Sequence, residues 1–132
     1  MKHKRRKNGF TLLELMIVIA IIFILIGMAA GRYDRSVQRA RETALKTDLQ
    51  TMRTAIDTYT LDKLAAPNSL DELVSQKYLR DVPVDPMTGQ KDWNPQFEDV
   101  MLSPQQSGTG LTDVHSASQQ VSPFDGTAYK DW

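Results

Sequence analysis

The stretch Gly9-Phe10-Thr11-Leu12-Leu13-Glu14 holds the residues whose types and spacing point most directly to chemistry. It lies between five cations, Lys2, Lys4, Arg5, Arg6 and Lys7, and an uncharged run from Leu15 to Gly31. Glu14 therefore stands at the mouth of a segment otherwise suited to lipid. On insertion scales an acid near mid-bilayer costs roughly 2.5–3.5 kcal/mol, and less at the interface. Such a group calls for a cation. A cut between Gly9 and Phe10 would create one, an α-amine at Phe10 that itself needs an acid. Within one helix the two groups are poorly placed for each other. Between axially staggered copies, Glu14 of one chain against the Phe10 amine of another becomes a contact that sets register.

Other chemistry finds little support. The chain has no cysteine, which excludes thiol catalysis, a disulfide framework and cysteine zinc sites. Asp113, His115 and Ser116 offer the residue types of a hydrolytic triad. Neighbours on a strand point to opposite faces, however, and triad members normally converge from distant segments. There is no phosphate-binding glycine loop, zinc spacing, dinucleotide fingerprint or internal repeat. No enzyme is expected. The zero net charge is a sum of unlike parts: from Phe10 onward there are 11 basic and 16 acidic residues. That balance gives no case for a nucleic-acid partner.

The elements that must carry the Gly9–Glu14 stretch begin with the apolar run. Its seventeen uncharged residues cover roughly 25 Å as a helix, near the short end of what spans a bilayer. The cationic cluster predicts a cytoplasmic N-terminus, with everything after Gly31 on the far side. Three readings compete: a secretory signal cut after Ala29-Ala30-Gly31, a plain signal anchor, or a segment cut before its apolar part. Two features favour the last. The helical pattern runs on past Gly31 to about Asp62, and Glu14 is hard to justify in a simple apolar region.

Leu45, Leu49, Met52, Ile56 and Tyr59 recur at spacings of four and three, an amphipathic stripe that predicts packing on the chain's own small domain. The apolar first half is left to bury itself in lipid or against other copies. Gly27 and Gly31, four apart, suit close helix approach or a bend. The charges Arg32, Asp34, Arg35, Arg39, Arg41 and Glu42 read as a solvated surface with cations near lipid headgroups.

Beyond the helix, Ser69 and Glu72 form a capping-box pattern, with Leu70, Leu73, Val74, Tyr78 and Leu79 as the apolar face of a second helix. Pro86 and Gly89 mark a turn. Strand-like runs place Trp93, Phe97, Val100, Leu102, Leu111 and Val114 in the core. The polar stretches 104–110 and 116–126 read as loops.

The Gly9–Glu14 block, abutting a basic leader and an apolar helix, resembles the class III signal of type IV pilins and the pseudopilins of type II secretion. The resemblance implies that a prepilin peptidase cuts after Gly9 and methylates Phe10, and that Glu14 is needed for incorporation into a filament. "PNSLDELVSQKYLRDVPVDPMTG", "TDVHS" and the final "YKDW" resemble segments of the major pseudopilin, so the likeness spans nearly the whole chain. It implies an α+β pilin-like fold: a long N-terminal helix packed on a short second helix and a small antiparallel sheet with long loops. The implied division is a leader over 1–9, a transmembrane assembly half over 10–31, an amphipathic half over 32–62 and a globular part over 63–132.

The implied role is structural, a homopolymer with minor pseudopilins on an inner-membrane secretion platform. The chain would be single-pass in the bacterial inner membrane, in contact with lipid, with its C-terminal part periplasmic. The alternatives are a pilin or minor pilin of a type IV pilus, or a secreted binding domain behind a cleavable signal. In that family the loop after the Asp-Val-Tyr-Ser strand binds calcium. Here it reads Ala117-Ser118-Gln119-Gln120 and lacks the loop acid. Asp113, Ser116, Asp125 and Asp131 still offer oxygens, but calcium takes six to eight, several of them charged. Neither metal nor cofactor is expected. The loop is expected to be held by Val121, Phe124, Tyr129 and Trp132 instead.

Overall fold

The computed structural model describes residues 9–103 and 106–132. The leader expected over 1–9 thus lies, but for Gly9, outside the described residues. The elements in order are α1 (Leu12–Lys63), α2 (Leu70–Ser75), β1 (Asn94–Ser103), β2 (Gln106–His115) and a 3-10 turn at Tyr129–Asp131. The fold is the α+β, pilin-like one expected. Contacts divide the chain into two compact units, one up to Gln38 and one from Arg39 onward.

In the first unit the backbone becomes helical at Leu12 because Thr11 caps it. The Thr11 hydroxyl accepts the Glu14 amide at 3.2 Å, and its carbonyl accepts the Leu15 amide at 3.2 Å. One of the orphan donors of the first turn is thereby satisfied. Phe10 and all the large apolar side chains from Leu12 to Met28 are exposed. α1 is long and apolar enough to cross a membrane, and none of its most apolar stretch is buried.

In the second unit α1 forms one wall of the core. Leu45, Leu49, Met52, Ala55, Ile56 and Tyr59 pack with Leu73, Leu79, Val82, Trp93, Leu111, Val114 and Tyr129. The five stripe residues named from spacing are all buried. Glu42 departs from its expectation: it reads as part of a solvated surface but is buried, only 6% exposed. α1 ends where Leu64 turns left-handed, at φ +52°. A branched side chain there carries strain of roughly 1 kcal/mol.

The Ser69 cap is realised, its hydroxyl accepting the Glu72 amide at 3.2 Å. The reciprocal bond differs from the simple capping box. Glu72 Oε2 accepts the Asn68 amide at 2.7 Å, while Oε1 accepts the Tyr59 hydroxyl at 2.6 Å. The capping acid therefore also ties α2 to α1. α2 stops at Ser75, and Lys77 takes a left-handed φ of +66°. The Tyr78 amide then reaches back to the Leu73 carbonyl at 2.9 Å. That turn buries Leu79 and sets Tyr78 edge-on to Tyr59, with ring centroids 5.2 Å apart. The Pro86–Gly89 turn is also present, with Gly89 at φ +72° and its amide on the Asp85 carbonyl at 2.8 Å.

The sheet is a two-stranded antiparallel hairpin. Trp93, Leu111 and Val114 are buried as expected, Val100 is half-buried and Phe97 is half-exposed. The side chain of Leu102 lies outside the described residues. An irregularity between Gln96 and Phe97 breaks the pairing register there. Such a break upsets the alternation of faces on which the core assignment of Phe97 rested. The 104–110 loop is corrected too. Strand β2 already begins at Gln106, and Gly108, Thr109 and Gly110 pair with Val100, Asp99 and Glu98. Gly110 is required by proximity: a Cβ there would lie 2.4 Å from that of Ala66. The closeness lets the Leu111 amide bond the Pro67 carbonyl at 2.8 Å.

The Tyr59–Glu72 contact has a pH consequence. The Tyr59 hydroxyl first, and then the Asn68 amide, hold the Glu72 carboxyl below its ordinary value of 4.5. The same hydrogen bond, with burial, pushes the Tyr59 phenol above 10.0. For an acid with a depressed pKa, stability is present above the unfolded value and is lost as pH falls through the folded one. The melting temperature should therefore fall on acidification below about pH 4.5. Glu72→Gln should melt lower at neutral pH and lose less on acidification. Melts across this acidic range for both proteins check this.

Candidate functional site

Three residues were expected to carry function at the N-terminal end, and all three lie in or beside the first turn of α1. Gly9 and Phe10 are outside the helix and exposed, Phe10 at 83%. The bond between them is thus open backbone of the kind a protease can bind. A β-carbon on Gly9 would meet nothing within 4 Å, so the local structure does not itself require glycine there. Glu14 sits in the first helical turn, where the positive end of the helix dipole favours a carboxylate. Among the described residues Glu14 enters no ion pair. The Thr11 hydroxyl caps the Glu14 amide and leaves its carboxylate at the helix N-terminus.

The second cluster lies where the chain closes after β2. Arg39, Glu42, Lys46, Leu49 and Arg53 recur at spacings of three and four, so they form one ridge of α1. Residues 113–132 lie against this ridge. Arg39 stacks over the Phe124 ring at 4.7 Å, and Lys46 over the Trp132 ring at 4.4 Å. Glu42 Oε1 accepts the Ser122 hydroxyl at 2.8 Å and the Tyr129 hydroxyl at 2.7 Å. Arg53 Nε donates to Asp113 Oδ1 at 2.6 Å, and Nη2 to the main-chain oxygens of Val114 at 3.0 Å and Trp132 at 2.8 Å. His115 Nδ1 lies 2.6 Å from the same Trp132 oxygen, and Nε2 lies 3.4 Å from Asp113 Oδ2.

The expected apolar closure is corrected in part. Tyr129 is buried and packs edge-on to Trp132 with centroids 5.0 Å apart. Val121 is 56% exposed, and its part in the closure is a backbone bridge to Ala128 rather than apolar packing. Buried serines do much of the work instead: Ser122 on Glu42, and Ser116 donating to the buried Asp85 carboxylate. Ser116 is therefore turned to Asp85, away from the Asp113–His115 pair, and the apparent triad is not assembled. Burial first, and the nearby Asp85 carboxylate second, raise the Asp48 carboxyl above its ordinary value.

As arranged here, the candidate calcium donors Asp113, Ser116 and Asp125 face other partners. Asp113 has both oxygens facing cationic or N–H groups. Ser116 is committed to Asp85, and Asp125 lies 3.5 Å from Lys46 Nζ. Among the described residues no three carboxylates or imidazoles converge, whereas a hard cation needs several charged oxygens on one point.

An exposed apolar helix, an open Gly-Phe bond before it and a small head folded on its second half define a pilin-like subunit. Residues 4–30 match the family model described as the prokaryotic N-terminal methylation motif. The chain is 31% identical over 99 residues to type II secretion system core protein G of Pseudomonas aeruginosa, covering 63% of this chain and 70% of that one. It is 31% identical over 121 residues to the core protein G of Aeromonas hydrophila, covering 80% and 79%. It is also 44% identical over 59 residues to the type IV major fimbrial protein FimA of Dichelobacter nodosus, covering 45% and 38%. No solved structure matches the chain significantly. The chain belongs to the type II secretion core protein G family, the major pseudopilins. These relatives are structural subunits of filament-forming assemblies and not enzymes.

Spacing alone does not announce the ridge as a packing face, although Arg39, Glu42, Lys46 and Arg53, with Leu49 among them, follow the same three-four period as the apolar stripe. Glu42→Ala would leave the Ser122 and Tyr129 hydroxyls without their buried acceptor. It should destabilise the head by about 2 kcal/mol. Glu42→Gln, which keeps one acceptor oxygen, should cost less; thermal melting of both variants is the check.

Proposed function

We propose that this chain is the structural subunit of a type II secretion pseudopilus, held before assembly as a single-pass inner-membrane protein. Its N-terminus is cytoplasmic and its head periplasmic. A prepilin peptidase cuts between Gly9 and Phe10 and methylates the new amine of Phe10. The released subunit polymerises through α1 with further copies, in company with minor pseudopilins and the inner-membrane secretion platform. Glu14 finds its cation in the Phe10 amine of a neighbouring subunit.

One observation carries this reading: an apolar helical surface with no partner among the described residues begins two residues after an exposed Gly9–Phe10 bond. A pilus pilin is the second reading. The likeness to a fimbrial protein supports it but covers 45% of this chain, against 80% for a core protein G.

Mass spectrometry of the protein from the membrane fraction tests the cut. The mature chain is expected to begin at methylated Phe10, and a chain beginning at Arg32 would overturn the proposal. For Glu14→Ala, membrane insertion should persist while filaments are lost on electron micrographs of sheared cells. Filaments at the normal number and length would end the pairing argument.

A further inference from the structure

The ridge of α1 carries three fixed cations to the segment after β2, and each is in contact with it. Arg39 covers Phe124, Lys46 faces Asp125 and the Trp132 ring, and Arg53 gathers Asp113, Val114 and Trp132. We propose that Arg53 is a built-in cation that organises this closure, so that the head folds without a bound divalent ion. The proposal goes beyond the pseudopilin reading and does not depend on it.

The chemistry of the guanidinium suits the task. It is planar, permanently charged and offers five N–H donors in a fixed fork. Here the fork meets one carboxylate oxygen and two main-chain oxygens from segments far apart in sequence, the end of β2 and Trp132. Carbonyl and carboxylate oxygens turned toward one positive centre are what a hard cation would collect. In this chain the centre is covalently carried by α1. His115 adds a second nitrogen to the same Trp132 oxygen and faces the other oxygen of Asp113.

Two features make the arrangement exclusive. Both Asp113 oxygens and the Trp132 oxygen, which a metal shell would use, already face nitrogen groups of Arg53, Val114 and His115. A divalent ion beside Asp113 or Asp125 would also stand next to Arg53 or Lys46, and the repulsion would oppose its binding. The Arg53–Asp113 pair is partly exposed, at 36% and 39%, so its ion pairing alone is weakened by solvent. The main-chain bonds to Val114 and Trp132 give it reach that a surface pair lacks. They cross from α1 to both ends of the closing segment.

The test uses the full chain in detergent micelles, with thermal melting and amide hydrogen exchange as readouts. Between excess chelator and several millimolar calcium chloride the melting temperature should move by no more than about 1 °C, because a ligand that does not bind the native state cannot stabilise it. Arg53→Gln should lower the melting temperature and speed exchange at the Tyr129 and Trp132 amides by about tenfold or more, reflecting lost charge-assisted bonds. Calcium should not restore either. Arg53→Lys, which keeps the charge but not the fork, is the milder variant should Arg53→Gln fail to fold. It should fall between the two in exchange at Trp132. A calcium-dependent rise in the melting temperature of the unaltered chain would overturn the proposal. So would unchanged Trp132 exchange in the Arg53 variants.

Discussion

A six-residue helix and a two-stranded hairpin are each too short to hold their shape in water alone. In this chain both depend on burial against the second part of α1, which contributes Leu45, Leu49, Met52, Ala55, Ile56 and Tyr59 to the shared core. The helix can do this because tertiary packing adds to its own propensity over that part. Among the described residues the same element has no such partner over residues 12–28, where every large apolar side chain is exposed. One helix thus satisfies its hydrophobic face internally at one end and leaves it open at the other.

The sequence made the helix, its core stripe and the Gly9–Glu14 block legible because each is local. Periodicity reports which side of a helix is apolar, and a cut site is a run of adjacent residues. The capping role of Ser69 was readable for the same reason. What escaped was decided across the fold. Gln106 to Gly110 has no apolar alternation, and its pairing with β1 is set by cross-strand hydrogen bonds and by the closeness of Gly110 to Ala66. Phe97 was misplaced by a break in register that no residue type announces. Glu42 looked like one more surface charge, yet its partners Ser122 and Tyr129 lie eighty or more residues away.

The polar contacts of the head follow one pattern: an acid or a cation on a helix collects donors or acceptors from the irregular segments. Glu72 holds Asn68 and Tyr59, Glu42 holds Ser122 and Tyr129, and Arg53 holds the end of β2 and Trp132. Long loops have many backbone groups and few apolar side chains with which to fix themselves. Charged hubs fix them with hydrogen bonds that are directional and roughly twice as strong as neutral ones. This is how about seventy residues with little regular structure share one small core, and among the described residues no buried side-chain polar atom lacks a partner.

Leu64 and Lys77 stand at left-handed backbone positions that glycine would occupy without strain. Each position ends a helix, and each carries a side chain that adds roughly 1 kcal/mol of conformational cost. Glycine at both would remove that cost from the folded head. The two helix ends are thus the places where the head holds stability in reserve, open to a single substitution each.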